Sequence, residues 1–260
     1  MALLQLDHVP ETVKVCLPLY MILPDPVRMG AVPLQERKVL YLLHGLSDNG
    51  SAWQRYTAIE TLAAEYGLVV VMPSIGRSFY TDQRNGQRYF TYLMEELPLY
   101  LKQVFGLDPK REDTLIAGNS MGGFGAFKAA FKAPERFAAA ASFSGVLSLA
   151  ILNMAPNDPR TGEFEYVFGD LGQLPGSEHD PLFWLEKAAG QVESLPKLYM
   201  ACGQQDDLFP VNQMFYGAAQ NFGVPIHYEQ EEGRHIWPFW ERHIRRFLSF
   251  ALGEPPKKQD

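Results

Sequence analysis

The sequence predicts an α/β fold in which a mostly parallel central sheet carries helices on both faces. Short aliphatic and β-branched runs alternate with longer stretches of helical periodicity along most of the 260 residues. Parallel strands need crossover connections, which such stretches supply. No linker-like segment, internal repeat or low-complexity tract interrupts the alternation, so the sequence predicts a single domain over 1–260.

The individual elements follow from hydrophobic patterning. Near the N-terminus Val13, Val15 and Leu17 alternate with other residues, which predicts an antiparallel pair at this edge of the sheet. The aliphatic runs predict strands over 39–43, 68–72, 114–117, 138–143, 197–202 and 226–230. The helical periodicity predicts helices over 56–66, 92–105, 121–132, 211–222 and 238–252, the second of which contains Pro98.

Two regions depart from this alternation. Residues 74–88 form one long connection, which we expect to contribute to the rim of a pocket. Residues 147–190 are rich in Pro, Gly, Asn and Asp and lack a sustained period, which predicts an irregular insertion over the C-terminal edge of the sheet. Residues 254–260 are predicted to be a frayed tail.

Composition narrows the classes of partner. Hydrophobic residues make up 47% of the chain, enough for a large buried core. The net charge of −7 disfavours nucleic acid and anionic membranes. The chain has no apolar run of a membrane span's length and no signal-peptide pattern, so a cytoplasmic protein is expected. Cys16 and Cys202 are too few for a disulfide framework and are expected to be free thiols.

The pentapeptide Gly118-Asn119-Ser120-Met121-Gly122 lies directly between a predicted strand and a predicted helix. This context is typical of a nucleophile elbow, where the glycines permit a sharp turn that presents the serine hydroxyl above the sheet. The start of the following helix also leaves backbone N–H groups free to bind an oxyanion. The sequence therefore predicts Ser120 as a nucleophile and the N–H of Met121 as an oxyanion donor.

A serine nucleophile needs a base, and the base needs an orienting carboxylate. Asp206 and Asp207 follow the predicted strand 197–202, and His235 follows the strand 226–230. Loops at the carboxyl ends of parallel strands meet at one edge of a sheet, so these segments are expected to converge on Ser120. Either aspartate could orient His235, and a metal site on these three residues has no supporting ligand motif.

His44 follows the strand 39–43 and precedes Gly45 and Leu46. In this type of fold the corresponding loop supplies the second oxyanion donor. The sequence therefore indicates His44 as an orienting residue and the N–H of Leu46 as the donor, with Gly45 as the alternative. The aromatic residues after His235 are more typical of a core and a pocket wall than of a nucleic-acid surface in so acidic a chain.

Eight segments together resemble the esterase D branch of the α/β-hydrolases, which includes S-formylglutathione hydrolases, and most closely bacterial tributyrin esterases. The resemblance covers nearly the whole chain. Its carriers are Tyr41-Leu42-Leu43-His44-Gly45, Val70-Val71-Met72-Pro73, Tyr80-Thr81-Asp82, Glu95-Glu96-Leu97-Pro98, the elbow extended to Gly123, Ala141-Ser142-Phe143-Ser144-Gly145, Cys202-Gly203 with Asp206, and Gly233-Arg234-His235 with Trp237.

This resemblance implies an α/β-hydrolase fold with Ser120, Asp206 and His235 as catalytic residues and Leu46 and Met121 as oxyanion donors. It implies a serine carboxylesterase for short acyl esters that uses no cofactor and no metal. Formylglutathione hydrolases typically carry a cysteine soon after the HGL segment, where this chain has residues 47–51 without one, so ordinary esters are favoured.

Three other functions stay open at this point. They are a glutathione thioester hydrolase, an acetyl or feruloyl esterase acting on plant polysaccharide fragments, and a catalytically silent binding protein with a hydrolase fold. Trp53, Tyr80 and Trp237 are expected to line the substrate pocket. The expected partner is a small ester, and assembly into a homo-oligomer is left open.

Overall fold

The computed structural model describes residues 1–25, 33–153 and 158–255, and their centre is one eight-stranded sheet. The strand order across this sheet is β1-β2-β4-β3-β5-β6-β7-β8. The strands are β1 Ala2–His8, β2 Leu17–Leu23, β3 Val39–Leu43, β4 Val69–Pro73, β5 Thr114–Asn119, β6 Ala139–Phe143, β7 Lys197–Gly203 and β8 Ile226–Glu231.

Helices connect the strands from β3 onward. They are α1 Ala52–Tyr56, α2 Ile59–Tyr66, α3 Tyr89–Thr91, α4 Leu97–Phe105, α5 Met121–Lys132, α6 Thr161–Phe168, α7 Pro181–Ala188, α8 Phe209–Asn221 and α9 Trp237–Leu252. Strands β3 to β8 pair in parallel, whereas β2 runs antiparallel to both β1 and β4. The carboxyl ends of β3, β5, β6, β7 and β8 therefore lie along the same edge of the sheet.

The central strands of the sheet are buried on both faces. Side chains alternate across a strand, so Tyr41 and Leu43 of β3 belong to one apolar layer and Leu40 and Leu42 to the other. The first layer is completed by α4, α5 and α8, and the second by α1, α2 and α9. Every residue of β3 and β4 is buried, as expected of parallel strands covered by helices on both sides.

The predicted antiparallel pair exists, but the residues that suggested it lie mostly outside it. Val13 and Val15 belong to the connection between β1 and β2, and only Leu17 is in a strand. Lys14, with φ of 58°, donates its N–H to the Pro10 carbonyl at 2.7 Å, which turns the chain here. Val13 is nevertheless buried, because it packs into the core from the turn.

Two predicted helices have a different internal structure. Residues 56–66 do not form one helix, because Thr57 is extended between α1 and α2 and donates its hydroxyl to the Trp53 carbonyl at 2.5 Å. The helix predicted over 92–105 begins at Tyr89 and contains a π-helical turn, Tyr92–Glu96, before α4. Pro98 lacks an N–H, and the wider turn precedes it. The other predicted elements from 39 onward agree with the structure within two residues at each end.

The insertion over 147–190 is more regular than its composition indicated. It carries α6 and α7, besides a short 3-10 segment, Leu149–Asn153. Asp180 begins α7 by accepting the N–H of Leu182 at 3.0 Å, a capping signal that the sequence analysis overlooked. Most of the predicted tail, from 256 onward, lies outside the described residues. Among the described helices, none is long and apolar enough to cross a membrane.

Candidate active site

Ser120 is the one residue between β5 and α5, as expected of an elbow. Its φ of 56° and ψ of −119° place it in a region that residues with a side chain rarely adopt. Its N–H donates to the Phe143 carbonyl at 2.9 Å, which fixes the turn against β6. The side chain of Ser120 is partly exposed at the carboxyl edge of the sheet.

The glycines on either side of Ser120 are required by close backbone contacts. A Cβ on Gly118 would lie 2.5 Å from the carbonyl carbon of Gly122, and a Cβ on Gly122 would lie 2.4 Å from the Leu43 carbonyl oxygen. Neither backbone group can move as a flexible side chain would. The elbow therefore packs directly against its own helix and against the end of β3.

His235 and Asp206 meet beside Ser120. The His235 Nδ1 atom lies 2.9 Å from Oδ2 of Asp206 and 3.1 Å from Oδ1. Because an ionised carboxylate only accepts hydrogen bonds, Nδ1 carries a proton and Nε2 of the neutral ring is left as the basic nitrogen. The Asp206 side chain is fully buried, whereas that of His235 is 36% exposed. Asp207 is exposed, and Asp206 is the aspartate that bonds to His235.

The two loops that carry these side chains are tied together. Gln205 donates its N–H to the Gly233 carbonyl at 2.9 Å, and its side-chain oxygen accepts the Gly233 N–H at 2.8 Å. A Cβ on Gly203 would lie 2.3 Å from the Gly233 carbonyl oxygen, so only glycine permits this approach. The position of Asp206 relative to His235 is thus set by the backbone as well as by their own contact.

Asp206 is held in its ionised form. Burial alone would raise the pKa of its carboxyl, but hydrogen bonds from His235, the Leu208 N–H and Ser144 lower that pKa below its usual value. Ser144 is itself buried, has φ of 47°, and accepts the indole N–H of Trp240 at 3.1 Å. The Trp240 ring in turn meets the His235 imidazole edge-on at 4.9 Å. Ser144 and Trp240 therefore support both partners of the pair.

His44 is a fully buried, neutral histidine that shapes the loop after β3. Burial lowers its pKa to about 4. Its Nε2 accepts the Ile75 N–H at 3.1 Å, so its proton is on Nδ1, which donates to the Gly45 carbonyl at 2.8 Å. The described peptide bonds are trans, so the N–H of Leu46 points away from the Gly45 carbonyl. Fixing that carbonyl consequently fixes the direction of the Leu46 N–H.

Ser120 and His235 lie at the junction of two cavities, and Leu46 lines both of them. The first has a volume of about 350 Å³, and its lining includes Phe79, Met121, Val146, Ile151, Leu152, Phe164 and Leu208, with Arg160, Asp206 and Asp207 among the polar residues. The second has a volume of about 420 Å³ and is lined by Ser47, Asp48, Asn119 and an aromatic wall of Trp237 and Trp240.

The structure gives different positions to the three expected pocket residues. Trp237 lines the second cavity. Trp53 is fully buried behind it, with ring centroids 5.2 Å apart, and donates its indole N–H to the Leu43 carbonyl. Tyr80 is also fully buried and donates its hydroxyl to the His44 carbonyl at 3.0 Å. Trp53 and Tyr80 line neither of these two cavities and instead support the residues that do.

Several residues of the site were not identified from the sequence. Phe79 falls within the predicted rim, but nothing in its neighbourhood distinguishes it from the other rim residues. Ser144 and Trp240 were noticed only as part of a resemblance and of an aromatic cluster. Phe164 belongs to the insertion, and Val146 directly precedes it. These residues reach the site through tertiary packing, which a single sequence does not display.

No group of three or more His, Cys, Asp or Glu side chains in the described part of the chain could hold a metal ion. Cys16 is exposed and Cys202 is buried, and both are free thiols. Burial raises the pKa of the Cys202 thiol well above its ordinary value. The Cys202 thiol is consequently a poor nucleophile, because the thiolate is the reactive form.

Comparison with known sequences identifies similar proteins along nearly the whole chain. A model of the family described as "Putative esterase" matches residues 16–245. An acetyl esterase of Caldicellulosiruptor saccharolyticus is 34% identical over 254 residues, which cover 94% of this chain and 96% of that protein. An S-formylglutathione hydrolase of Bos taurus is 27% identical, with 81% of this chain and 79% of that protein covered.

Solved structures of similar proteins also match nearly the whole chain. The Staphylococcus aureus fluorophosphonate-binding serine hydrolase F has a TM-score of 0.86 at 34% identity, covering 96% of this chain and 98% of its own. A structure described as S-formylglutathione hydrolase FrmB, also from Staphylococcus aureus, has a TM-score of 0.85 at 34% identity and the same coverage. These similarities confirm the predicted α/β-hydrolase fold.

Proposed function

Because the chain belongs to the esterase family whose sequence model spans residues 16–245, we propose that it is a serine carboxylesterase acting on short-chain acyl esters. The observation that carries this proposal is the contact of 2.9 Å between His235 and the buried Asp206, beside a serine on a strained elbow. Nucleophile, base and orienting carboxylate are the three groups that acyl transfer to a serine requires.

In the proposed reaction the Oγ atom of Ser120 attacks the ester carbonyl carbon while Nε2 of His235 accepts the hydroxyl proton. The carbonyl electron pair moves to the oxygen, and the tetrahedral intermediate then expels the alcohol, which takes the proton from His235. Water attacks the resulting acyl-Ser120 in the same way and releases the carboxylic acid. Every proton and electron pair in these steps comes from the enzyme, the ester or water, so the reaction needs no cofactor.

Asp206 acts on His235 in this scheme. Its ionised carboxylate holds the imidazole with the proton on Nδ1 and stabilises the imidazolium that forms when Ser120 loses its proton. The lowered pKa of Asp206 supports this role, because the carboxylate stays charged at neutral pH. The Leu208 N–H donates to Oδ1 of Asp206 at 2.9 Å, which limits rotation of the carboxylate away from His235.

We assign the oxyanion hole to the backbone N–H groups of Leu46 and Met121. Met121 is the first residue of α5, where an N–H has no acceptor within the helix. The contact of His44 with the Gly45 carbonyl supports Leu46 rather than Gly45, because it turns the Leu46 N–H in the opposite direction. Each donor aimed at the oxyanion is worth about 3 kcal/mol of transition-state stabilisation.

The two cavities suit the two halves of an ester. We assign the acyl chain to the first cavity, where Phe79 and Phe164 form part of the wall. The second cavity offers Asp48, Ser47 and the Trp237 ring to an alcohol that carries polar groups. Burial raises the pKa of the Asp48 carboxyl above its usual value, although the positive charge of Arg55 acts to lower it.

Two rival ester or thioester substrates have specific support. The structure described as S-formylglutathione hydrolase FrmB is 34% identical to this chain, which favours a glutathione thioester. The acetyl esterase of equal identity favours the acetyl group, which an acetyl esterase acting on polysaccharide fragments would also remove. A ferulic acid esterase of similar structure is 22% identical to this chain and supports the fold alone.

A substrate panel tests the proposal. We expect p-nitrophenyl acetate and butyrate to give a higher kcat/KM than p-nitrophenyl dodecanoate or S-formylglutathione, and Ser120→Ala to abolish every activity. A higher kcat/KM for the thioester would make the thioesterase the better assignment. A higher value for the dodecanoate would exclude a short-chain preference, and acetate release from acetylated oligosaccharides at the highest efficiency would favour the carbohydrate esterase.

A further inference from the structure

The segment after β4 contains two successive residues in the left-handed region. Phe79 has φ of 52° and Tyr80 has φ of 48°, and neither is a glycine. Residues with a side chain are strained in this conformation and keep it only where their surroundings hold them. Both side chains are almost completely buried, so the strain lies inside the molecule rather than in an exposed loop.

This strained pair touches both parts of the proposed site. Phe79 lines the first cavity together with Ser120 and packs edge-on against Phe124 and Phe164, each at a centroid distance of 5.8 Å. Tyr80 donates its hydroxyl to the carbonyl of His44, at the start of the loop that carries Leu46. A change in the backbone at these two residues would therefore move the cavity wall and the support of the oxyanion loop together.

Lys128 of α5 bonds to this turn from the inside of the protein. Its side chain is 2% exposed, and its Nζ donates to the Thr81 hydroxyl at 2.7 Å and to the Tyr80 carbonyl at 3.3 Å. The Thr81 hydroxyl donates in turn to the Phe79 carbonyl at 2.9 Å. The carbonyls of both strained residues are thus connected to one buried amine.

A buried amine of this kind requires an explanation, because burial of a charge is unfavourable without a paired anion. Among the described residues, no carboxylate forms a hydrogen bond or ion pair with Lys128. Burial lowers the pKa of Lys128 to about 7, with Lys132 acting in the same direction and Asp82 and Glu178 opposing it. Among the described residues its hydrogen bonds are those with the turn; its Nζ also lies over the rings of Phe90 and Phe124, and the residue lines a cavity with Asp82 and Glu178.

Gly125, one helical turn before Lys128, completes the arrangement. A Cβ at Gly125 would lie 2.4 Å from the Tyr80 ring, so this ring packs directly on the backbone of α5. The helix that follows Ser120 therefore contacts the turn twice. Its backbone at Gly125 packs against the Tyr80 ring, and the amine of Lys128 bonds to the turn. The nucleophile and the cavity wall are fixed to the same helix.

We propose that Lys128 is a positioning residue which holds the strained Phe79–Tyr80 turn, and that Phe79 in this position selects the acyl group. This inference rests on the proposed function. Without the contacts of Lys128, the turn can relax toward negative φ, and the Phe79 ring then leaves its place in the cavity wall. The discrimination between acyl chains of different length should change, and the oxyanion loop should lose the support of Tyr80.

The test compares Lys128→Met with Lys132→Met, which changes the next lysine on the same helix. Lys132 pairs with Glu178 and has no contact with the turn. The measured quantities are kcat/KM for p-nitrophenyl acetate, butyrate and hexanoate, and the ratios between them. Thr81→Val is a second variant, because it removes the hydroxyl between Lys128 and Phe79 and keeps a side chain of similar shape.

We expect Lys128→Met to lower kcat/KM for the best ester by about tenfold, the equivalent of one or two lost hydrogen bonds, and to change the hexanoate-to-acetate ratio by about threefold or more. Thr81→Val should change the ratio in the same direction, and Lys132→Met should leave it as in the wild type. If Lys128→Met does not fold, the ratio measured for Thr81→Val decides.

Unchanged ratios in folded Lys128→Met and Thr81→Val, even with a uniform loss of rate, would show a role in stability alone and overturn the inference. In that case an active wild type would leave the proposed function intact. A wild type that hydrolyses none of the esters would instead refute the proposed function, and the inference with it.

Discussion

The carboxylate of Asp206 approaches the Nδ1 atom of His235 to 2.9 Å although the two residues come from loops after different strands. Their approach depends on the two hydrogen bonds between Gln205 and Gly233, one of them to the Gln205 side chain, and on Gly203, whose missing side chain lets the loops touch. The loops at the carboxyl edge of the sheet therefore orient His235, and Asp206 fixes the tautomer of its ring.

Asp206→Asn should lower kcat by about 10³–10⁴-fold with little change in the fold. An asparagine amide can donate to Nδ1, which would place the ring proton on Nε2 and remove the base that Ser120 needs. Steady-state kinetics with p-nitrophenyl butyrate measures this effect. The matched control is Asp207→Asn, since Asp207 is exposed and is not the aspartate that bonds to His235. Equal losses in the two variants would contradict the assignment of Asp206.

Ser144→Ala should reduce kcat by about tenfold, because the buried Trp240 indole N–H loses its acceptor and the pKa of Asp206 is no longer lowered by Ser144. The neighbouring Ser142→Ala is the control. The Ser142 hydroxyl is also buried but has no hydrogen-bond partner among the described residues. If Ser142→Ala were the more damaging of the two changes, the support of Asp206 by Ser144 would be disproved.

His44 should make the stability of the protein depend on pH. Its pKa is about 4 in the folded state against 6.5 for an ordinary histidine, so its contribution is complete above pH 6.5. As the pH falls from 6.5 toward 4, the unfolded chain binds a proton that the folded chain does not, and stability falls by about 1.4 kcal/mol per pH unit.

Urea unfolding between pH 7 and pH 4.5 measures this slope. His179 and His243 also have pKa values lowered to about 4 by burial, so the wild-type slope includes more than one group. The free energy of unfolding of His44→Asn should depend less steeply on pH, by the contribution of one bound proton. Asparagine keeps a donor for the Gly45 carbonyl and does not titrate. Identical slopes for the two proteins would show that His44 is not held neutral by the fold.

Gly118→Ala should destabilise the protein by about 1–3 kcal/mol, because the new methyl group would meet the backbone of Gly122. Gly217→Ala is the matched control within a helix. Nothing lies within 4 Å of a Cβ at Gly217, and this change should stabilise α8 by about 0.5–1 kcal/mol. Thermal and urea unfolding of both variants would reveal the difference. A neutral effect of Gly118→Ala would mean that the elbow does not need this glycine.

Much of the fold could be predicted because the buried apolar residues recur in the sequence in the patterns typical of strands and helices. The strands from β3 to β7 are largely apolar, and the helices between them show helical periodicity. The N-terminal pair was misplaced because Val13 is buried from a turn, where its apolar character carries no information about secondary structure. The insertion looked irregular because its helices are short and separated by turn-forming residues.

The residues proposed for chemistry could be predicted because each follows a strand and belongs to a recognisable motif. The residues around them could not. Phe79, Ser144 and Lys128 are ordinary in their local sequence, and each becomes informative only through a partner far along the chain. Trp53 and Tyr80 show the converse, since they were expected at the pocket and instead lie buried beneath the residues that form it.

The central claim is that Ser120 is the nucleophile of an ester hydrolase. Intact-protein mass spectrometry after treatment with a fluorophosphonate tests it most directly, with p-nitrophenyl butyrate hydrolysis followed in the same samples. We predict that the wild type gains one phosphonyl group and loses its activity, and that folded Ser120→Ala is neither labelled nor active. A folded wild type that stays unlabelled, or equal labelling of Ser120→Ala, would contradict the claim.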